Sequence, residues 1–176
     1  MNIFAKSLAS SSYAHGRNII FSVLLLVASS AAVWAANAHY KKGPSCIDGG
    51  LTATCAGSIT GLGNGNVIIT VSFPNATGTT TCTNPGGNQA PGQNPATPAE
   101  VTGSGFFPNP KNGNLSFSVT TETPPNPTPQ AAGCPNGQWT AAFNDINFGA
   151  GTITVQQETF QGSGVYVTVL TTNVSL

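Results

Sequence analysis

The sequence predicts an all-β protein: a disulfide-supported antiparallel β-sandwich, immunoglobulin-like in architecture, with a small β-barrel as the alternative. Three observations predict this class. Apolar and polar residues alternate with a period of two in several short segments, Asn-Gly pairs and other turn formers separate these segments, and four cysteines lie among them. Period-two alternation marks a strand with one buried face, and many short strands are typical of sandwiches and barrels.

The first 38 residues have the features of an export signal. Lys6 and Arg17 precede an apolar stretch of 15 residues at 19–33, and the small-residue pattern A-N-A follows at 36–38. A basic segment, a short apolar segment and a small-residue exit are the three parts of a secretory signal peptide. We predict a signal-peptide helix over 1–38 that is cleaved after Ala38, and a single β-sandwich domain over 39–176.

The same segment sets the expected location of the protein. Its apolar stretch is shorter than the about 20 residues needed to span a bilayer. A retained anchor is the alternative, because Trp34 could lie at a membrane interface. With cleavage, the protein is secreted or held at the cell surface, and it meets the membrane only transiently through its signal peptide.

All four cysteines follow the predicted cleavage site: Cys46, Cys55, Cys82 and Cys134. An even number in an exported chain predicts two disulfides, with three connectivities to choose from. The turn formers at 48–50 can bring Cys46 and Cys55 together, so we favour this pair, which leaves Cys82 for Cys134. A zinc site is disfavoured, because the sequence has no C-x₂-C spacing and His39 is the single imidazole of 39–176.

The strand-like segments follow one another along the chain at 51–59, 67–73, 79–83, 101–107, 115–121, 139–148, 152–155 and 165–169. In the sixth, apolar residues at 139, 141 and 143 are followed by others at 146 and 148, out of phase. A β-bulge near Asn144 and Asp145 would return them to one face. Asn112-Gly113 favours a turn with positive φ, which predicts a hairpin between 101–107 and 115–121.

Two proline-containing segments do not fit strands. Residues 84–98 carry no charge and no large apolar side chain, and 124–129 reads PPNPTP. The first is long for a structureless connection, so it is either a functional loop or a solvated one. A Cys82–Cys134 disulfide would enclose both, and we expect the two loops to project together from one end of the sandwich.

Four motifs resemble a family of small secreted bacterial hypothetical proteins with no established activity. They are GLGNGNVIITV at 61–71, TCTNPGGNQAPGQNP at 81–95, KNGNLSFSV at 111–119 and GCPNGQWTAAFNDINF at 133–148. The resemblance covers most of 46–155 and is most specific around Cys82 and Cys134. It implies export, a β-rich domain and a Cys82–Cys134 link, and it supplies no catalytic residue.

Charge is scarce. Five basic and five acidic residues make 6% of the 176 residues, against roughly 25% in an ordinary soluble domain. Such a surface excludes a basic track for nucleic acid and a charged helical bundle. Without residues 1–38 the formal charge is −2. We therefore predict no nucleic-acid partner.

Groups able to catalyse a reaction are also scarce. His39 is expected to be the mobile first residue after cleavage, which leaves Ser-His-Asp or Cys-His chemistry without a base. A glycosidase needs two carboxylates that face one sugar. We expect the five carboxylates to be solvating, turn or bulge residues instead: Glu100, Glu122 and Glu158 near strand ends, Asp48 in a turn and Asp145 in the bulge. Calcium-loop and phosphate-loop motifs are missing as well, so we predict no catalytic residue, no metal and no cofactor.

Aromatic side chains offer one further candidate. Trp139, Tyr166, Phe106 and Phe107 could line a carbohydrate platform, but Trp139 and at least one of the Phe pair are expected in the sandwich core. Tyr166 is out of phase with the valines at 165 and 167, so we expect it to face outward as a surface contact.

These features lead to three hypotheses about function. The first is a secreted, non-catalytic β-sandwich for extracellular interaction or structure, with an unknown extracellular partner or with self-association. The second is a self-assembling matrix or filament subunit, because few charges protect the strand edges and the tail 165–176 could be donated to a neighbour. The third is a carbohydrate-active enzyme.

Overall fold

The computed structural model describes residues 37–98 and 100–176, so the predicted signal peptide lies outside the described residues except for its last two. The described part contains ten strands and one short 3₁₀-helix. The strands are β1 His39–Asp48, β2 Ala53–Thr60, β3 Val67–Phe73, β4 Thr77–Thr83, β5 Gln89–Pro91, β6 Val101–Phe107, β7 Leu115–Thr120, β8 Thr140–Asn147, β9 Ala150–Glu158 and β10 Tyr166–Ser175, and the 3₁₀-helix is Lys111–Gly113.

The strands form three antiparallel sheets, which we name after their central strands. The β2 sheet has the order β1-β2-β7, the β3 sheet β10-β9-β3-β6, and the β4 sheet β5-β4-β8. None of these sheets closes into a barrel. The predicted all-β sandwich is therefore confirmed, and the small-barrel alternative is not. In this part of the chain no helix has the length and apolar character needed to cross a membrane.

One apolar core joins the three sheets. Alternate residues of β3, from Val67 to Phe73, are fully buried, as their period-two pattern predicts. Phe117 comes from the β2 sheet and Ile146 from the β4 sheet, and both belong to the same buried cluster. The rings of Phe73 and Phe148 meet edge to face, with centroids 5.2 Å apart. Each sheet therefore buries one face against a shared interior.

The predicted β-bulge is confirmed. Thr79 of β4 lies opposite Asp145 and Thr80 lies opposite Phe143, so Asn144 is an extra residue in β8. Both Phe143 and Ile146 are buried on the core side as a result. The bulge removes one residue from the alternation, which reconciles the two phases of the sequence pattern.

The predicted hairpin between β6 and β7 is wrong. β6 pairs with β3, whereas β7 pairs with β2, so the chain changes sheets between them. Asn112 and Gly113 do have positive φ values of 53° and 68°, and the Gly113 carbonyl accepts a hydrogen bond from the Leu62 N–H at 3.1 Å. Two amphipathic strands bury more apolar surface when they face each other across the core, and the connection 108–114 is long enough to cross it.

Strand β1 was not predicted, and it corrects the expectation that His39 is a mobile end. His39 pairs with Thr60, and its Nδ1 lies 2.6 Å from the carbonyl oxygen of Asn37. The strand escapes sequence analysis because it carries Lys41, Lys42 and Pro44 instead of an apolar alternation. Such residues are typical of an edge strand, which is the position of β1.

Candidate functional site

Both disulfides have the pairing favoured from the sequence. Cys46 is bonded to Cys55 and Cys82 to Cys134, and the described residues contain no free cysteine. The first bond joins directly opposed residues of β1 and β2. The second ties β4 to the turn that follows the proline-rich segment 124–129. Two disulfides are typical of a protein that folds in an oxidising compartment.

The loop 84–98 is more ordered than the sequence predicts. Its residues Gln89–Pro91 form β5 against β4, and Ala96 exchanges two backbone hydrogen bonds with Gly78, of 2.8 and 3.0 Å. The expectation of a segment without strands is therefore wrong. It failed because β5 is short and contains a proline, which a strand tolerates at the edge of a sheet.

Both neighbours of β4 bulge at the same place. Between the pairs Thr81–Pro91 and Gly78–Ala96, residues 92–95 lie opposite only Thr79 and Thr80. On the other side of β4, the extra residue Asn144 lies at the same level. This coincidence opens a groove of about 360 Å³. Its lining includes Thr79, Thr80, Gln93, Asn94, Pro95 and Asn144, none of which carries a charge.

The two loops predicted to project together are in contact beside this groove. The Asn94 N–H donates to the carbonyl oxygen of Ala132 at 3.3 Å. Gly133 has φ 68°, and a Cβ there would lie 2.9 Å from Asn94 Nδ2, so only glycine allows this approach. Asn126 Oδ1 accepts a hydrogen bond at 3.3 Å from the Phe143 N–H, next to the bulge. We call residues 84–98 and 124–134 the pinned loops, because β5 pairs the first with β4 and Cys134 bonds the second to Cys82 of β4.

Thr80 places an unsatisfied hydroxyl at the groove. Its side chain is 4% exposed, and Oγ1 has no hydrogen-bond partner among the described residues. Gly92 lies directly over it, because a Cβ on Gly92 would be 2.0 Å from Oγ1. A buried hydroxyl without a partner costs about 1–3 kcal/mol, and most buried polar groups avoid this cost. The free hydroxyl is therefore an unusual feature, located where the loop 92–95 leaves β4.

Asp48 lies in the turn and Asp145 beside the bulge, where the sequence predicts them. Asp48 Oδ1 accepts the Gly50 N–H at 2.8 Å, which makes Asp48 the predicted turn residue. Asp145 follows the bulged residue Asn144 and lies opposite Thr79; its Oδ1 is 3.8 Å from the place of a Cβ on Gly50. Within residues 37–98 and 100–176, no three His, Cys, Asp or Glu side chains are grouped to hold a metal ion.

Glu158 is not the solvating residue that its place near a strand end suggested. It is 5% exposed, and its carboxylate accepts hydrogen bonds from Gly164 N–H at 2.7 Å and from Asn66 Nδ2 at 2.8 Å. These contacts, with the Gly164 N–H contributing most, lower the pKa of Glu158. Gln157 is also buried and bonds Gly63 and Gly65. Gln157 and Glu158 thereby hold the loops 61–66 and 159–165. The glycines of these loops are the one sequence feature that could have indicated this arrangement.

We expect Glu158→Gln to make the protein less sensitive to acid. Because the pKa of Glu158 is lower in the folded protein than in the unfolded chain, its carboxylate stabilises the fold at pH values above the unfolded pKa. This stabilisation is lost as the pH falls through the lower pKa of the folded protein. At pH 7 the variant should unfold at a lower urea concentration than the wild type, and the difference should shrink towards pH 3. Urea midpoints measured from pH 7 to 3 test this.

Glu122→Gln is the matched control, because Glu122 is exposed and its side chain has no hydrogen bond within the described residues. Its midpoints should follow those of the wild type. Parallel curves for Glu158→Gln and the wild type at every pH would contradict the assigned role.

Of the other carboxylates, Glu100 accepts a hydrogen bond from the Ser72 hydroxyl at the end of β3.

The aromatic residues do not form the carbohydrate platform considered above. Trp139 is half-buried against the small cluster around Cys82, Ala132 and Ala141, not in the main core, because β8 begins only at Thr140. Phe107 packs against the main core, as predicted for one of the Phe pair, and Phe106 is 59% exposed.

Tyr166 lies at the other edge of the β3 sheet from Phe106. It begins β10 opposite Glu158 and is half-buried, whereas Val165, expected to face inward, is 57% exposed. The alternation fails here because β10 begins after Val165 and its register shifts between Thr168 and Leu170. Tyr166 as a surface contact stays a prediction.

The residues that the structure gathers are thus those of the groove and the pinned loops, and they are uncharged. Prolines and cysteines in the sequence indicate the loops, whereas the groove has no local sequence signal because it depends on the alignment of two bulges. No known family model, curated protein or solved structure matches this chain.

Proposed function

We propose that this protein is a secreted, non-catalytic β-sandwich of immunoglobulin-like architecture that serves extracellular interaction or structure. The observation that carries the proposal is the Cys82–Cys134 disulfide, which ties the uncharged loop 124–134 to β4 beside a groove, where it contacts the uncharged loop 84–98. Loops held on a rigid sheet are a common way to present a binding surface. Export through a signal peptide cleaved after Ala38 would deliver the chain to a compartment in which both disulfides form.

The chemistry of the ionisable groups supports a role without catalysis. Glu158 is engaged by backbone and amide N–H groups, and Asp48 holds a turn. His39 lies on the edge strand β1, paired with Thr60 of β2. A catalytic acid or base needs a carboxylate or an imidazole free to exchange a proton with a substrate.

Mass spectrometry of the exported protein under non-reducing conditions tests the proposal. The full chain, expressed with its own N-terminus in a bacterial host, should be recovered outside the cytoplasm with His39 as its first residue and four blocked thiols. A partner that co-purifies would be identified in the same preparation. Cytoplasmic retention, an uncleaved N-terminus or free thiols would overturn the proposal.

A second candidate function, self-assembly, is favoured by the contrast between two edge strands. β1 carries Lys41, Lys42 and Pro44 and has two register shifts, and each of these features discourages pairing with another chain. β10 has ten residues and carries no charged side chain. It pairs with β9 along its length, so it is not free to be donated. A second copy would instead add its own β10 to the open edge.

We expect Thr171→Lys to weaken such association by at least about tenfold, because an antiparallel β10–β10 pair would bring two introduced charges close together. Thr171 is an exposed residue of β10. Sedimentation velocity over a range of concentrations, together with electron microscopy, provides the measurement. Ser118→Lys, at an exposed position of β7, is the control. A wild-type protein that stays monomeric at every concentration and forms no filaments would rule out this candidate.

A further inference from the structure

We propose that the groove between the two bulges of the β4 sheet binds a neutral oligosaccharide. This inference rests on the proposed function and names the class of ligand. The groove has a volume of about 360 Å³, and small-molecule sites in proteins measure roughly 300–1,000 Å³. It is large enough for a few sugar units at most, so it would hold one segment of a longer chain.

The lining matches a ligand that is rich in hydroxyl groups and carries no charge. Gln93, Asn94 and Asn144 have side-chain amides, and Thr79 and Thr80 have hydroxyls. Amides and hydroxyls both donate and accept hydrogen bonds, as sugar hydroxyls do. The rings of Pro91 and Pro95 add apolar surface against which the C–H face of a sugar can lie. An ionic ligand would find no opposite charge in this lining.

A peptide fits the groove less well. Peptides that bind beside a sheet usually add a strand, and this needs free backbone N–H and C=O groups at the sheet edge. Here the Gly92 N–H donates to the Thr80 carbonyl at 2.8 Å, and Ala96 exchanges hydrogen bonds with Gly78 on the other side of the bulge. The backbone groups at both ends of residues 92–95 are therefore already paired with β4, which leaves no continuous edge for an added strand. A ligand at the groove would meet side chains, of which Asn144 already accepts a hydrogen bond from the Thr81 hydroxyl at 3.0 Å through its Oδ1.

Thr80 gives the site a specific contact. Its buried hydroxyl has no partner in the described part of the protein and lies under Gly92 at the base of the loop 92–95. That loop is held by the Gly92 N–H bond to Thr80 and by the Asn94 N–H bond to Ala132. A small displacement of the loop uncovers the hydroxyl, and a sugar hydroxyl can then supply the missing hydrogen bond. Glycine at 92 makes room for the Thr80 hydroxyl itself, because a Cβ there would lie 2.0 Å from Oγ1.

The test is a binding measurement on the exported protein with a panel of neutral trisaccharides. The probes are β-1,4-linked trimers of glucose, N-acetylglucosamine and mannose, titrated by calorimetry and by NMR. We expect at least one to bind. Thr80→Val should weaken that binding by about 3- to 10-fold, the effect of one neutral hydrogen bond, without lowering the urea midpoint, because the hydroxyl has no partner to lose.

A second variant and a matched control keep the test decisive if Thr80→Val folds poorly. Asn144→Ala removes an exposed amide at the groove and should also weaken binding. Thr168→Val makes the same chemical change at an exposed position of β10 and should leave binding unchanged. Failure of all three sugars to bind, or equal binding by all variants, would overturn the inference. Displacement of the sugar by a neutral proline-rich peptide would assign the groove to peptides instead, and would overturn it as well.

The outcomes separate this inference from the proposed function. The same preparation reports the cleavage site and the state of the four thiols. An exported protein with both disulfides that binds no trisaccharide would overturn the sugar site and leave the proposed function standing. A protein retained in the cytoplasm would overturn the proposed function itself.

Discussion

Replacing Cys82 and Cys134 together by alanine is expected to lower the free energy of unfolding by about 4 kcal/mol. The two cysteines are 52 positions apart, so the bond removes many conformations from the unfolded chain. The loss should be visible as a large decrease in the urea midpoint at pH 7. Residues 124–134 should also become more accessible to proteases, because Cys134 joins this loop to β4.

The other disulfide supplies the matched control. Cys46 and Cys55 are 9 positions apart, and their replacement by alanine should cost about 3 kcal/mol on the same reasoning. Cys55 and Cys82 are both fully buried, so the double variants remove one buried sulfur each. If replacement of Cys82 and Cys134 lowered the free energy of unfolding by less than replacement of Cys46 and Cys55, the result would contradict the chain-entropy explanation. Native contacts would then determine the contribution of both disulfides.

Phe73→Ala is expected to lower the free energy of unfolding by about 3–5 kcal/mol. Phe73 is fully buried at the end of β3, and its ring contacts Phe148 edge to face. Removal of the ring leaves a cavity between the β3 sheet and the chain that follows β8, and close-packed neighbours fill such a space only in part. Chemical unfolding followed by tryptophan fluorescence gives the measurement.

An exposed phenylalanine provides the comparison. Phe106→Ala makes the same change on the outer side of the β3 sheet, where the side chain is 59% exposed, and should alter stability by no more than about 0.5 kcal/mol. A double replacement of Phe73 and Phe148 should cost less than the sum of the single ones, because the two rings share one contact. Similar losses for Phe73→Ala and Phe106→Ala would contradict the assignment of the core.

The sequence predicted those parts of the fold that depend on local pattern. The alternation in β3 and β7 identified their buried faces, because one side of a strand must be apolar when it covers a core. The bulge at Asn144 was predicted for the same reason, since two apolar phases in one segment need an extra residue between them. The turn at Asp48 could be predicted from three neighbouring residues, because it needs only the short polar side chain of Asp48 and the two glycines that follow it.

Pairing between strands was less accessible to sequence analysis. Alternation shows which face of β6 is buried, but it does not show whether β6 lies beside β7 or across the core from it. Strand β1 is polar because it forms an edge, so its hydrogen bonds to β2 leave no apolar pattern to detect. Choices of this kind are made by long-range packing and not by neighbouring residues.

The candidate site was predictable only in part. Cysteines and prolines indicated that two loops would meet, and Asn94 and Ala132 are in contact as a result. The groove itself arises because bulges on both sides of β4 coincide at Thr79 and Thr80, a matter of register that composition does not encode. The burial of Glu158 depends likewise on glycine N–H groups in a loop that folds back over the strand.

The position of β3 also sets the order in which the protein can fold. This central strand is flanked by β6 and β9, and its partner residues in β9 lie about half the chain length away. Pairings between such distant segments form slowly, because a long stretch of chain must first be closed into a loop. During synthesis the interior therefore cannot close until the C-terminal strands have emerged. Under the proposed secretion, this delay would favour export, because the chain would cross the membrane before its interior closes.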